Sequence, residues 1–385
     1  MLEALYLALL AAAVAVVAVI ALSAWRRIPG TVELIYNGSS AIHCNVAATA
    51  KTLTSAYDPP WWALNAHLQL VMFALVPQVR IDYSREILSL PDGGIVSLDW
   101  LGAALPSDAP IVLVLHTLAG CSKDLRYFCD AAVRAGYRAV VFNKRGHGKT
   151  PLTTPKMQAF GCIEDMKLVI QHIQDKYPAV PLVGAGYSAG AGLLSAYLGE
   201  LGADSALQAG VLVSPGYDHY IVHANARDAS HFHELGGVHP VYNFLMAKSL
   251  KMLLAPHRQA LGSHIDFSGA MLSTCMADFD KAVYLKLHKI ESLPEYWEKF
   301  GPLRAVDNIA VPTLFISSKD DPVCRPDLID VSLFDRNPHL MLAFTTYGSH
   351  CGFYQVKEGR LDSWAPHAAL DYLDSILDRR RTPAA

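Results

Sequence analysis

Ser188 stands in Gly186-Tyr187-Ser188-Ala189-Gly190, directly after the apolar run Val180 to Ala185 and ahead of a small-residue segment of helical character. A serine hydroxyl is a useful nucleophile when a sharp strand-to-helix turn lifts it clear of the backbone, and flanking glycines permit the close approach such a turn demands. The first N–H groups of the helix then face the charge that develops on an attacked carbonyl. Acyl chemistry at a serine also needs a base and an orienting carboxylate, which on an α/β sheet follow in the order serine, acid, histidine. Two later segments supply them. Asp320-Asp321-Pro322 follows the apolar run Thr313 to Ile316, and His350 lies in Gly348-Ser349-His350-Cys351-Gly352 after Leu340 to Phe344. Adjacent residues on an extended segment point to opposite sides, so only one aspartate reaches the imidazole. Asp321 is preferred, because Pro322-Val323 starts the next element from it, and Asp320 reads as a turn or capping carboxylate. The expected oxyanion donors are the backbone N–H of Ala189 and that of Leu118, on the loop after the run Ile111 to Leu115.

The elements that must hold these residues are legible as runs of apolar residues. Glu86 to Leu90 and Ile95 to Trp100, joined by Pro91-Asp92-Gly93-Gly94, form a hairpin signal. Ile111 to Leu115, Ala139 to Phe142, Leu182 to Ala185, Ala209 to Val213 and Thr313 to Ile316 suit parallel strands buried on both faces. Leu125 to Ala135, Cys162 to Lys176 and Gly190 to Gly199 have helical spacing between them. The alternation predicts a mostly parallel sheet with helices on both faces. Residues 216–305 interrupt it with helix-forming sequence and read as an inserted cap.

Composition bounds the rest. The 385 residues carry a net charge of −3, with no basic block beyond Arg379-Arg380-Arg381, so nucleic acid is not an expected partner. Seven cysteines without C-x-x-C spacing exclude a zinc ribbon and read as buried small hydrophobes. Mean hydropathy is +0.23, and much of the excess lies in residues 4–24, long enough to cross a hydrocarbon core of about 30 Å as a helix. The chain is therefore divided into an anchor (1–27), a membrane-proximal helical segment (28–80), a catalytic domain (81–375) and a polar tail (376–385). Arg26 and Arg27 after the apolar run place the catalytic body in the cytosol by the positive-inside bias. Ala63 to Val76, interrupted by Asn65, His67 and Gln69, reads as an interfacial or core-packed helix rather than a second span.

A set of motifs then resembles a known family. Tyr83-Ser84-Arg85-Glu86, Leu98-Asp99-Trp100, Phe142-Asn143-Lys144-Arg145-Gly146, the Ser188 elbow, Asp278-Phe279-Asp280, Asp320-Asp321-Pro322 and Gly348-Ser349-His350-Cys351-Gly352-Phe353 resemble, in order, the YheT-like α/β-hydrolases. The nearer likeness is to eukaryotic single-pass, membrane-anchored α/β-hydrolase-domain proteins, over residues 80–375. The resemblance implies the α/β-hydrolase fold, a triad of Ser188, Asp321 and His350, and hydrolysis of acyl-lipid esters (phospholipid, acylglycerol or medium-chain ester) through an acyl-enzyme. It implies no cofactor and no metal. One position departs: the family's His-Gly loop reads His116-Thr117 here, placing a β-branched residue beside the oxyanion. The same triad could serve an acyltransferase, and Thr117 is the one feature favouring a silent scaffold.

Other signals are set aside. Gly146-His147-Gly148-Lys149-Thr150 ends like a phosphate-binding loop, but Asn143 stands where its first glycine is required. His231-Phe232-His233 with Glu234 and His239 has neither helix-face nor zincin spacing, so it reads as cap surface or pocket lining.

Overall fold

The computed structural model describes Ala18 and residues 30–379 apart from 58, 76–78, 217–239 and 358. The expected anchor, Ala18 aside, and the His231-Phe232-His233 stretch lie outside the described residues. Among the described residues no helix is long and apolar enough to cross a membrane.

Nine strands form one sheet: β1 (Val32–Tyr36), β2 (Ser84–Ser89), β3 (Ile95–Leu101), β4 (Ile111–Leu115), β5 (Arg138–Asn143), β6 (Leu182–Tyr187), β7 (Gly210–Val213), β8 (Thr313–Ser318) and β9 (Leu340–Thr345). Their spatial order is β1-β9-β8-β7-β6-β4-β5-β3-β2. The six strands from β9 to β5 run parallel, and antiparallel strands border them at both edges. Along β4, Ile111, Leu113 and Leu115 enter the core on one face while Val112 and Val114 enter the core on the other. A strand buried on both sides has no polar face, which is why it reads as an unbroken apolar run.

Helices α1 (Ala41–Thr49), α2 (Ala66–Leu75) and α3 (Arg126–Arg134) come early, while α4 (Glu164–Lys176) and α5 (Ala189–Leu201) flank β6 in the chain. Between β7 and β8 lie α6 (Pro240–Leu254), α7 (Met276–Ala282) and α8 (Leu293–Phe300). A hairpin, β10 (Tyr354–Lys357) with β11 (Arg360–Ser363), and then α9 (Trp364–Ile376) follow β9. Met166, Val169 and Ile170 of α4 and Leu193 and Leu194 of α5 close one face of the sheet. Val46 of α1, Phe128 and Ala132 of α3 and Leu370 and Leu373 of α9 close the other. Each large apolar side chain so buried stabilises the fold by about 1.5–3 kcal/mol.

The cap has a core of its own, built from Leu250 and Leu254 of α6, Phe279 of α7, and Tyr296 and Trp297 of α8 with their neighbours. Leu118, Ala119 and Leu152 of the hydrolase body pack against it, so it sits over the loop that follows β4.

Two sequence expectations need amendment. Residues 28–80 are not separate from the sheet: β1 pairs antiparallel with β9, Val32 opposite Thr345 and Tyr36 opposite Met341, closing an edge that would otherwise present bare N–H and C=O groups. The cysteines are all free, but only Cys129 and Cys351 are buried, while Cys44 is exposed and the others are half-buried.

Candidate active site

The sheet reverses its order beside β4: the chain runs from β4 out to β5 and then returns to β6 on the opposite side of β4. Open α/β sheets place their ligands in the crevice at such a point, beyond the carboxyl ends of the strands. Leu115 pairs with Gly186, so the loop after β4 and the turn after β6 emerge side by side. Ser188 occupies that turn with φ 52° and ψ −118°, a left-handed conformation unusual for a residue with a Cβ, held by its N–H donating to Val213 O at 2.9 Å. Both glycines of the elbow are required by contact. A Cβ on Gly186 would lie 2.5 Å from Gly190 O, and one on Gly190 would lie 2.3 Å from Leu115 O and 2.6 Å from His116 O.

A hydrogen-bonded chain runs from this serine. His350 Nε2 lies 2.8 Å from Ser188 Oγ, and His350 Nδ1 lies 2.9 Å from Asp321 Oδ2. The other oxygen, Asp321 Oδ1, accepts from the N–H groups of Val323 and Cys324, each at 2.8 Å. The turn started by Pro322 therefore folds back on the carboxylate and aims its free oxygen at the imidazole. Asp321 and His350 are 5% and 8% exposed, so the pair is nearly dry. Burial opposes charging the ring, but the Asp321 carboxylate outweighs it and holds the imidazole's proton affinity well above its usual value.

Residues 106–253, which include the elbow, match the Hydrolase_4 family, described as serine aminopeptidase, S33. The human protein named Protein ABHD15 is 30% identical over 370 residues, a match covering 92% of this chain and 76% of that protein. This chain belongs to the α/β-hydrolase-domain family. Human Phospholipase ABHD3 is 27% identical over 345 residues, covering 87% of this chain and 81% of its own. Human Monoacylglycerol lipase ABHD2 is 28% identical over 397 residues, covering 97% and 92%. By this membership the chain is a serine hydrolase with the α/β-hydrolase fold.

In this α/β-hydrolase Asp320 does more than close a turn. Its Oδ1 accepts from Ser349 N at 2.8 Å and from Ser318 Oγ at 2.7 Å, so it ties the end of β8 to the loop that presents His350. The same loop is pinned from two further sides: Cys351 N donates to Ser214 Oγ at 3.1 Å, and Ser349 Oγ donates to Ala66 O at 2.5 Å. Ser349, Cys351 and Phe353 all have φ between 47° and 66°, a run of left-handed residues that only such anchoring sustains. Burial pushes the Asp320 carboxyl above its ordinary pKa.

The loop after β4 carries Leu118, whose carbonyl lies 3.3 Å from His147 Nε2 and whose side chain packs on the cap. Thr117 is accommodated because residue 120 is glycine, where a Cβ would lie 2.6 Å from Thr117 Oγ1. Beneath this loop the rings of His116 and His147 lie 4.8 Å apart. The N–H of Lys144 donates to His116 Nε2 at 3.4 Å, and burial lowers the Lys144 amine to a pKa of about 8. Sequence reasoning assigned nothing to this cluster. The available signal was position alone, since His116 and Lys144 directly follow the carboxyl ends of two adjacent parallel strands.

Proposed function

We propose that this protein hydrolyses carboxylic esters of acyl lipids through an acyl-enzyme. His350 takes the Ser188 proton as the serine oxygen attacks the acyl carbonyl, while Asp321 fixes the tautomer and offsets the positive charge that forms on the ring. The N–H groups of Ala189 and Leu118 receive the oxyanion. The imidazolium then protonates the departing alcohol. Water, activated by the same histidine, releases the fatty acid and restores the serine.

The chain of hydrogen bonds from Ser188 to Asp321 at a strained elbow carries this reading. The lipid part is supported by the names of two relatives, a phospholipase and a monoacylglycerol lipase. It is supported further by the apolar cap beside the loop of Leu118, and by the run of residues 4–24, which we assign as a single-pass membrane anchor.

Fluorophosphonate labelling tests the nucleophile. The wild type is expected to label and Ser188→Ala to lose both labelling and esterase activity while folding normally; surviving activity would move the nucleophile elsewhere. A series of p-nitrophenyl esters from acetate to palmitate tests the substrate class. Each added CH₂ that is buried is worth about 0.8 kcal/mol, so four carbons raise kcat/KM by up to roughly two orders of magnitude until the pocket is full. A steady fall from acetate onward would leave a small-ester hydrolase in place of a lipase.

A further inference from the structure

Cys324 has no part in ester hydrolysis, yet its thiol lies against the triad. Three donors of different chemistry meet there: a carboxylate oxygen of Asp321, the sulfur of Cys324 and a ring nitrogen of His350, all within 4.8 Å of one another. The arrangement is built into the backbone. Cys324 follows Asp321 by three residues, and its N–H donates to the same carboxylate that orients the imidazole, so one tight turn holds the Cys324 backbone against that carboxylate. Asp321 and His350 are nearly dry, and Cys324 beside them is half-buried.

We infer that Asp321, Cys324 and His350 bind a thiophilic divalent cation, of which zinc is the type, and that the bound ion switches the hydrolase off. A mixed oxygen, sulfur and nitrogen set suits zinc or cadmium and not magnesium or calcium, which take oxygen donors. Metal–ligand bonds of about 2.0–2.3 Å in a tetrahedral site put neighbouring donors roughly 3.4–3.7 Å apart. The three donors need only small side-chain adjustments to reach that spacing, and a water completes four ligands. On binding, the thiol loses its proton to solvent and a sulfur–metal bond forms, while the carboxylate and the imidazole each give a lone pair. Either ring nitrogen serves to silence the enzyme. An ion on Nδ1 leaves the imidazole proton on Nε2, facing Ser188, and an ion on Nε2 occupies the lone pair that would accept the serine proton.

This inference rests on the proposed triad for its consequence but not for the binding itself, and the two are read separately. Full-length protein is titrated with Zn²⁺, Cd²⁺, Mg²⁺ and Ca²⁺, following fluorophosphonate labelling normalised to each variant's own metal-free value. Cd²⁺ binding is followed in parallel by thiolate-to-metal absorption in the near ultraviolet. Zn²⁺ and Cd²⁺ are expected to suppress labelling of the wild type, EDTA to restore it, and millimolar Mg²⁺ or Ca²⁺ to leave it unchanged. Cys324→Ser is expected to raise the Zn²⁺ concentration needed for inhibition at least about tenfold and to lose one equivalent of Cd²⁺ absorption. Equal inhibition of Cys324→Ser and wild type, or equal Cd²⁺ absorption, would overturn the site. Absence of labelling without metal would instead overturn the triad, and the absorption difference would still decide the binding.

Discussion

In the proposed triad His350 and the two aspartates beside it divide one task between them, and the division is measurable. Because Asp321 holds the imidazole's proton affinity above the ordinary value of 6.5, the ring is charged at a pH where a free histidine is already neutral. Only the neutral ring can take the serine proton, so kcat/KM is expected to rise with pH along a limb whose midpoint lies above 6.5. The stability this pair contributes runs the other way: it is fully present below the ordinary imidazole value and is lost as pH rises through the raised one. Asp321→Asn removes the largest influence opposing burial, moving the limb to lower pH while the plateau falls on the order of 10³–10⁴-fold. Asp320→Asn keeps an oxygen for Ser349 N and is expected to cost far less; Asp320→Ala, which releases the loop, falls between them. Comparing pH–rate profiles of the three variants decides this, and a larger loss in Asp320→Asn than in Asp321→Asn would exchange their roles.

Between elements, the elbow works because helix α5 starts in van der Waals contact with the loop after β4, and Gly190 is the point of contact. A Cβ at 190 would meet Leu115 O and His116 O, backbone atoms at the end of a central strand and the first residue beyond it. Gly190→Ala is therefore expected to destabilise the protein by about 1–3 kcal/mol and to push the loop of Leu118 away from the serine, lowering kcat more than it raises KM. Gly38→Ala, where a Cβ meets nothing within 4 Å, is the control and should leave both melting temperature and kinetics unchanged. A neutral Gly190→Ala would mean that the loop is not packed against the elbow. The same contrast explains what could be read beforehand. Strands such as β4 and β6, buried on both faces, announce themselves as apolar runs, and the glycines of the elbow mark its turn. Strand β1 reads Val-Glu-Leu-Ile-Tyr, a short edge strand in which only Glu33 is exposed, and its partner lies some 300 residues away, so no local pattern marks it. The clamp from Asp320 to Ser349 and the cluster of His116, Lys144 and His147 are equally silent in sequence, because each exists only once separate loops meet at the sheet edge.

Across the whole molecule, the histidine at residue 350 depends on chain that lies far earlier, and this sets where the protein can be cut. β1 zips along β9, the strand that leads into the histidine loop, and Thr346 N donates to Thr31 O at 3.1 Å just beyond the paired residues. α2 adds a second support: Ala66 O accepts from Ser349, and Gln69 Oε1 accepts from Tyr354 N at 3.2 Å. Deleting residues 1–27 removes the assigned anchor and touches neither support, so the truncated protein is expected to leave the carbonate-resistant membrane fraction, keep its melting temperature and label fully with fluorophosphonate. Deleting residues 1–40 also removes β1. A handful of backbone hydrogen bonds, each worth about 0.5–1.5 kcal/mol net, is then lost together with Val32, Leu34 and Tyr36, which pack on the sheet core, and the edge of β9 is laid bare. That protein is expected to melt several degrees lower, to aggregate, and to lose labelling even where it remains folded, because the strand that positions His350 has lost one of its two neighbours. Equal labelling of the two truncations would show that β1 does not support the histidine, and a carbonate-resistant 28–385 protein would move the membrane anchor out of residues 4–24.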